Sequence, residues 1–91
     1  EIPPGWKSGN HRHNFEAVIA FREGHGYSVI NSQKYEWKAG DVITIPPMSD
    51  HQHFNPDPNQ RVRFWAVITS AFMTNIGALE FDSLGDAGPI E

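Results

Sequence analysis

Five histidines stand in a chain of 91 residues, and four of them fall in two pairs, His11/His13 and His51/His53, each with one residue between. Neutral imidazole is a ligand for divalent transition metals, and its protonation changes near neutral pH. On a β-strand residues i and i+2 point to the same face, so each pair projects together. Two strands that bring such pairs face to face would converge their imidazoles. Three neutral imidazoles half-fill the coordination sphere of a divalent metal and leave positions open for substrate or dioxygen. The same spacing also fits a solvated strand face. His25, flanked by Gly24 and Gly26, reads as a solvated turn residue.

The elements that would position these residues read as strands and turns. Apolar, partly β-branched runs fall at 15–21 and 27–30, and residues 34–37 alternate polar with aromatic. Further runs fall at 42–45, 51–54 and 61–68, the last being the longest. Gly24-His25-Gly26, Asn31-Ser32, Lys38-Ala39-Gly40-Asp41, Pro46-Pro47 and Asn55-Pro56-Asp57-Pro58-Asn59 punctuate them. Short strands between turn signals predict an all-β sandwich or barrel. Residues 70–81 fit either a short helix or a final strand, and residues 82–91 read as a loose tail. The expected organisation is one domain over residues 1–91, with a barrel core at about 5–70, either on its own or as a piece of a longer chain.

Composition narrows the function classes. Seven Lys and Arg against eleven Asp and Glu give a net charge of −4, which argues against a nucleic-acid or acidic-membrane surface. No apolar run is long enough to span a bilayer, and no signal-peptide pattern is present. The absence of Cys excludes disulfides and zinc–thiolate sites and fits a cytoplasmic protein.

Spacing ties the histidines to the turn residues. Gly5, His11, His13, Ala17 and Gly24 fall in the layout G-x5-H-x-H-x3-A-x6-G, and Gly40, Pro46, Met48, His51 and Asn55 in G-x5-P-x-M-x2-H-x3-N. Gly24 and Gly40 sit at turns where a positive φ is expected. Pro46 can end a strand that needs no further donor, and Asn55 can close its loop through a side-chain bond to backbone. This layout resembles the two motifs of the cupin superfamily, G-x5-H-x-H-x3,4-E-x6-G and G-x5-P-x-G-x2-H-x3-N, over about residues 5–55. The resemblance implies a double-stranded β-helix, or jelly-roll barrel.

Two positions depart from the pattern. Ala17 stands where the family places a metal-binding Glu, and Met48 stands where Gly is common. Glu16 is adjacent to Ala17 but points the other way on a regular strand. It would join the metal's surroundings only through a bulge. The ligand set that the resemblance implies is therefore His11, His13 and His51, with Glu16 at most beside it.

A three-histidine cupin resembles the oxygenase branch, gentisate 1,2-dioxygenase most closely. The resemblance implies Fe(II), with Ni, Mn, Zn and Cu as alternatives, and cleavage of a small aromatic or dicarbonyl substrate by dioxygen. His53 shares a face with His51 and is the expected catalytic base or substrate hydrogen-bond partner. Phe15 and Trp65 are expected pocket walls. Strand parity puts Arg61, Arg63, Trp65 and Val67 on one face and Val62, Phe64, Ala66 and Ile68 on the other. If the arginine face turns inward, Arg63 would hold a substrate carboxylate. The alternatives are a non-catalytic small-molecule-binding or structural cupin and a metal-dependent isomerase. The family resemblance also implies a homodimer.

Overall fold

A computed structural model describes residues 1–13, 16–68, 81–85 and 87–90; for His13, Ile68 and residues 81–85 it describes the backbone alone. Ten strands run through the described residues, with no helix among them. They are β1 (Trp6–Lys7), β2 (Asn10–His13), β3 (Ala17–Glu23), β4 (His25–Ile30) and β5 (Gln33–Lys38), then β6 (Val42–Ile45), β7 (His51–Phe54), β8 (Arg63–Ile68), β9 (Phe81–Gly85) and β10 (Gly88–Pro89). Among the described residues no helix is long and apolar enough to cross a membrane.

The strands form two antiparallel sheets. In the larger, β4 carries β5 on one side and β7 on the other. Strands β1 and β2 lie end to end along the far side of β7, through Lys7 opposite Phe54 and His11 opposite His51. Beyond them β9 pairs with β2 and β10 with β1. The smaller sheet has the order β6-β3-β8.

The core lies between the sheets. Ala17, Ile19 and Phe21 form the buried row of β3, and Ile45, Ile30, Trp37, Val62 and Ile2 join them. Phe21 and Trp37 stack across the two sheets with ring centroids 3.7 Å apart and planes 9° from parallel. Such a pair contributes about 0.5–1.5 kcal/mol beyond its buried area. Gly26 makes the stack possible, since a Cβ there would meet the Trp37 ring at 2.7 Å.

The expected turns hold. Gly24 (φ +86°) and Gly40 (φ +97°) both adopt the left-handed conformation. A Cβ at Gly24 would also meet the Arg61 carbonyl oxygen at 2.5 Å. Asn55 is fully buried. Its Nδ2 donates to the carbonyls of Ile2 (3.2 Å), Pro3 (3.2 Å) and Gln60 (2.7 Å), and its Oδ1 accepts from the Asp57 amide (3.2 Å). One side chain thus closes the 55–60 loop and fastens the N-terminal segment over it. Met48 is also left-handed (φ +61°), which explains why Gly suits that position.

The C-terminal segment differs from expectation. Residues 82–85 and 88–89, expected in a loose tail, are strand in the larger sheet, and the first of these strands begins at residue 81. Their partners, β2 and β1, lie far away in sequence, so no local pattern announces the pairing. Residues 69–80, which carry most of the segment expected to be a helix or a strand, lie outside the described residues.

Candidate metal and ligand site

Strand β7 builds the site because it turns its histidines inward. His51 and His53 are buried on the face it shares with Ser28 and Ile30 of β4. His51 stands directly between Ile30 and His11, and its ring lies edge-on to that of His11, with centroids 6.2 Å apart at 88°. One histidine of each H-x-H pair, His11 and His51, thus stands opposite the other across the β2–β7 ladder. The backbone of His13 continues β2, two residues beyond His11 and on the same pleat; its side chain lies outside the described residues. Among the described residues, no group of three His, Cys, Asp or Glu side chains is gathered closely enough to hold a metal ion.

A short turn orients His51. Its Nδ1 lies 3.0 Å from the Ser49 carbonyl oxygen. A carbonyl can only accept, so Nδ1 carries the proton and Nε2 is the basic nitrogen, the arrangement usual for a metal-binding imidazole. Asn31 holds that turn in place. Its Oδ1 accepts from the Asp50 amide (3.1 Å), its amide donates to the Asp50 carbonyl (2.8 Å), and its Nδ2 donates to Ser49 Oγ (3.2 Å). Arg12 pairs with Asp50 at 3.7 Å on the outer side.

His53 sits deeper. Its ring lies 5.8 Å from His51, 6.1 Å from Phe64 and 6.5 Å from Phe21 by centroid. Ser8 bridges the gap between β1 and β2 and grips its backbone. Ser8 Oγ accepts from the His53 amide (2.9 Å), and the Ser8 amide donates to the His53 carbonyl (2.8 Å). His53 Nδ1 lies 2.6 Å from Ser28 Oγ, which in turn accepts a bond from Trp37 Nε1 at 2.8 Å. Burial, reinforced by the nearby charges of His51 and His11, lowers the His53 pKa from 6.5 to about 4. His53 is therefore neutral at pH 7.

Other expected residues fall elsewhere. Ala17 is buried and points inward where the family pattern has Glu, while Glu16 lies just outside β3 and is exposed. Arg63 and Trp65 are not brought to the histidines. Among the described side chains of β8, Phe64 faces inward and packs against Phe21 with ring centroids 6.0 Å apart. Trp65 is 66% exposed on the opposite face, with the Arg22 guanidinium 4.4 Å above its ring. The arginine-bearing face turns outward because Val62 and Phe64, on the other parity, are the residues that fill the core. Phe15 lies outside the described residues. His25 is exposed and pairs with Asp57 at 3.2 Å. Sequence reasoning missed Ser28, Asn31 and Ser49. Ser28 had a signal, since it shares parity with Ile30 and so had to lie on an apolar inward row.

The profile for the cupin domain matches residues 1–68, and the chain belongs to that family. It is 27% identical over 79 residues, 87% of its length, to a 5-aminosalicylate 1,2-dioxygenase of Comamonas sp.. It is 36% identical over 52 residues, 56% of its length, to an uncharacterised protein of Methanocaldococcus jannaschii. The chain spans 21% and 42% of those proteins, respectively. The solved salicylate 1,2-dioxygenase of Pseudaminobacter salicylatoxidans superimposes with a TM-score of 0.81 at 22% identity, over 93% of this chain and 24% of the enzyme. The plu4264 protein of Photorhabdus luminescens superimposes with a TM-score of 0.68 at 26% identity, over 82% of this chain and 66% of that one. The likeness to the salicylate enzyme is one of fold.

Proposed function

We propose that this cupin domain holds a divalent metal ion, Fe(II) foremost, through His11, His13 and His51, and acts as a dioxygenase on a small aromatic or dicarbonyl substrate. The observation that carries the reading is the cross-strand meeting of His11 and His51, with the Ser49 carbonyl turning His51 Nε2 into the basic nitrogen. The donor set fits the group. Neutral nitrogen ligands suit Fe, Ni, Cu and Zn and, less well, Mn, and Ala17 offers a methyl group where a carboxylate would otherwise join them. A metal ion held there supplies Lewis acidity and, if it is iron, redox chemistry with dioxygen.

The chain's own residues do the rest. Phe21, Phe64 and Trp37 wall the inner end of the site and keep it dry. His53, neutral and beside His51, makes a directional hydrogen bond with substrate. The similarity to a 5-aminosalicylate and a salicylate 1,2-dioxygenase supports substrates of the salicylate type, a benzoate carrying a neighbouring hydroxyl group.

Elemental analysis of protein purified without a histidine tag tests the reading, followed by oxygen-uptake assays with salicylate, gentisate and 5-aminosalicylate. The expected result is about one transition-metal ion per chain, lost in His11→Ala and His51→Ala, retained in His53→Ala, and accompanied by substrate-dependent oxygen uptake. Wild-type protein that takes up no metal after anaerobic Fe(II) addition refutes the metal centre. Metal without oxygen uptake would favour a binding cupin or an isomerase.

A further inference from the structure

We infer that Ser28 and Trp37 are positioning residues that fix the proton of His53 on Nε2, so that this histidine meets a bound ligand as a hydrogen-bond donor to an oxygen anion and not as a base. The inference rests on the reading of the histidine cluster as a ligand site.

The argument is a count of protons. An indole N–H can only donate, so Trp37 occupies one lone pair of Ser28 Oγ. Ser28 is fully buried, and its hydroxyl has one proton to place. Its other neighbour is His53 Nδ1, 2.6 Å away. Were Nδ1 to carry a proton, Ser28 would accept twice and its own proton would be left without an acceptor in a buried place. The arrangement that satisfies all three groups has Trp37 donating to Ser28, Ser28 donating to Nδ1, and Nε2 protonated.

The register enforces it. Ser28 stands directly opposite His53 across the β4–β7 ladder, and the Trp37 ring is clamped between Phe21 and the floor at Gly26. The two histidines of β7 therefore carry opposite tautomers two residues apart. His51 donates its Nδ1–H to a carbonyl and keeps a basic Nε2, whereas His53 accepts a hydrogen bond at Nδ1 and presents Nε2–H. One suits a metal, and the other suits a substrate oxygen bearing negative charge, such as a phenolate or a carboxylate.

The test is two-bond 1H–15N correlation spectroscopy of the metal-free protein labelled with 15N-histidine, with His53 assigned through His53→Asn. The expected spectrum shows His53 with a protonated Nε2 and an unprotonated Nδ1, without tautomer averaging. In Ser28→Ala the ratio of the two tautomers should fall by at least about fivefold, the worth of one hydrogen bond. Ser28→Thr, which keeps the hydroxyl group, should restore it. A wild-type ring with the proton on Nδ1 overturns the inference, and that reading does not depend on the Ser28 variants. An unchanged ratio in Ser28→Ala overturns it as well. Metal uptake, measured on portions of the same proteins after anaerobic Fe(II) addition, keeps the two claims apart. An Nε2–H ring in protein that binds no metal supports the relay while refuting the metal centre.

Discussion

Strands β7 and β8 both alternate with a period of two, yet they bury opposite kinds of residue. In β7 the polar His51 and His53 turn inward, and the aromatic Phe54 faces out, stacked on Tyr27 with ring centroids 4.7 Å apart. In β8 the aromatic Phe64 turns inward, while Arg63, Trp65 and Val67 face solvent. Alternation sorts residues into two faces but does not say which face is buried. Cross-strand partners decide that. Trp65 and Val67 lie opposite Ala20 and Val18, out of phase with the buried row Ala17, Ile19 and Phe21. An inward polar row costs stability unless each group finds a partner. Strand β7 has those partners in Ser28, the Ser49 carbonyl and, at its end, the Asn55 network. A strand that breaks the local polarity rule and is fully compensated for it is where function is expected.

The largest test of this contrast is pH. Burial holds the His53 pKa at about 4 in the folded protein against 6.5 when unfolded. As pH falls the unfolded chain takes up the proton first, so this contribution to stability is complete above pH 6.5 and is lost between 6.5 and about 4. In the metal-free protein the loss is about 3 kcal/mol. Urea unfolding at several pH values should show it in the wild type and much less of it in His53→Gln. Equal pH slopes in the two proteins would mean that the β7 histidine does not carry the cost of burial.

Next in size is the residue that anchors the end of β7. Asn55→Ala removes the bonds to the carbonyls of Ile2, Pro3 and Gln60 and strands acceptors inside the protein. The expected loss is about 2–3 kcal/mol in urea unfolding. Asn55→Asp should fare no better, because a carboxylate cannot donate to them. A loss within experimental error in Asn55→Ala would show that the network is ornamental.

Much of this contrast could be read from the chain, and the remainder fails for identifiable reasons. Val42–Ile45 and His51–Phe54 form where expected, because proline, glycine and asparagine mark their ends. The left-handed Gly24 and Gly40 follow from turn chemistry. The histidines stood out through their spacing. Parity with Ile30 marked Ser28 as inward, but its role was not legible, because that depends on a partner 25 residues away in sequence. The strands at 81–85 and 88–89 were illegible for the same reason, being paired only with distant β2 and β1. The outward turn of Arg63 and Trp65 needed knowledge of which parity of β8 fills the core. Met48 shows a departure from pattern whose cause is local: its φ of +61° favours glycine. Met48→Gly should therefore hold or slightly raise the unfolding midpoint, whereas Met48→Val should lower stability by about 1 kcal/mol, since a β-branched residue fits that conformation poorly. A drop with glycine would place the Met48 side chain, and not its backbone, in control of the loop that leads into β7.

The smallest expected effect lies on the outward face of β8, and its smallness is the point. Trp65 is mostly exposed, and its described partner is the Arg22 guanidinium above the ring. A cation–π pair in water contributes about 0.5–1 kcal/mol, so Trp65→Ala should destabilise by no more than that, and Arg22→Gln by a similar amount. Because both changes break one pair, their effects should not add, and a double-mutant cycle should recover about 0.5 kcal/mol of coupling. Neither variant should alter the metal content or the His53 tautomer, because residues of that parity point away from β7. Loss of metal in Trp65→Ala would mean that the outer face communicates with the histidines, and the division between an inward polar strand and an outward one would have to be redrawn.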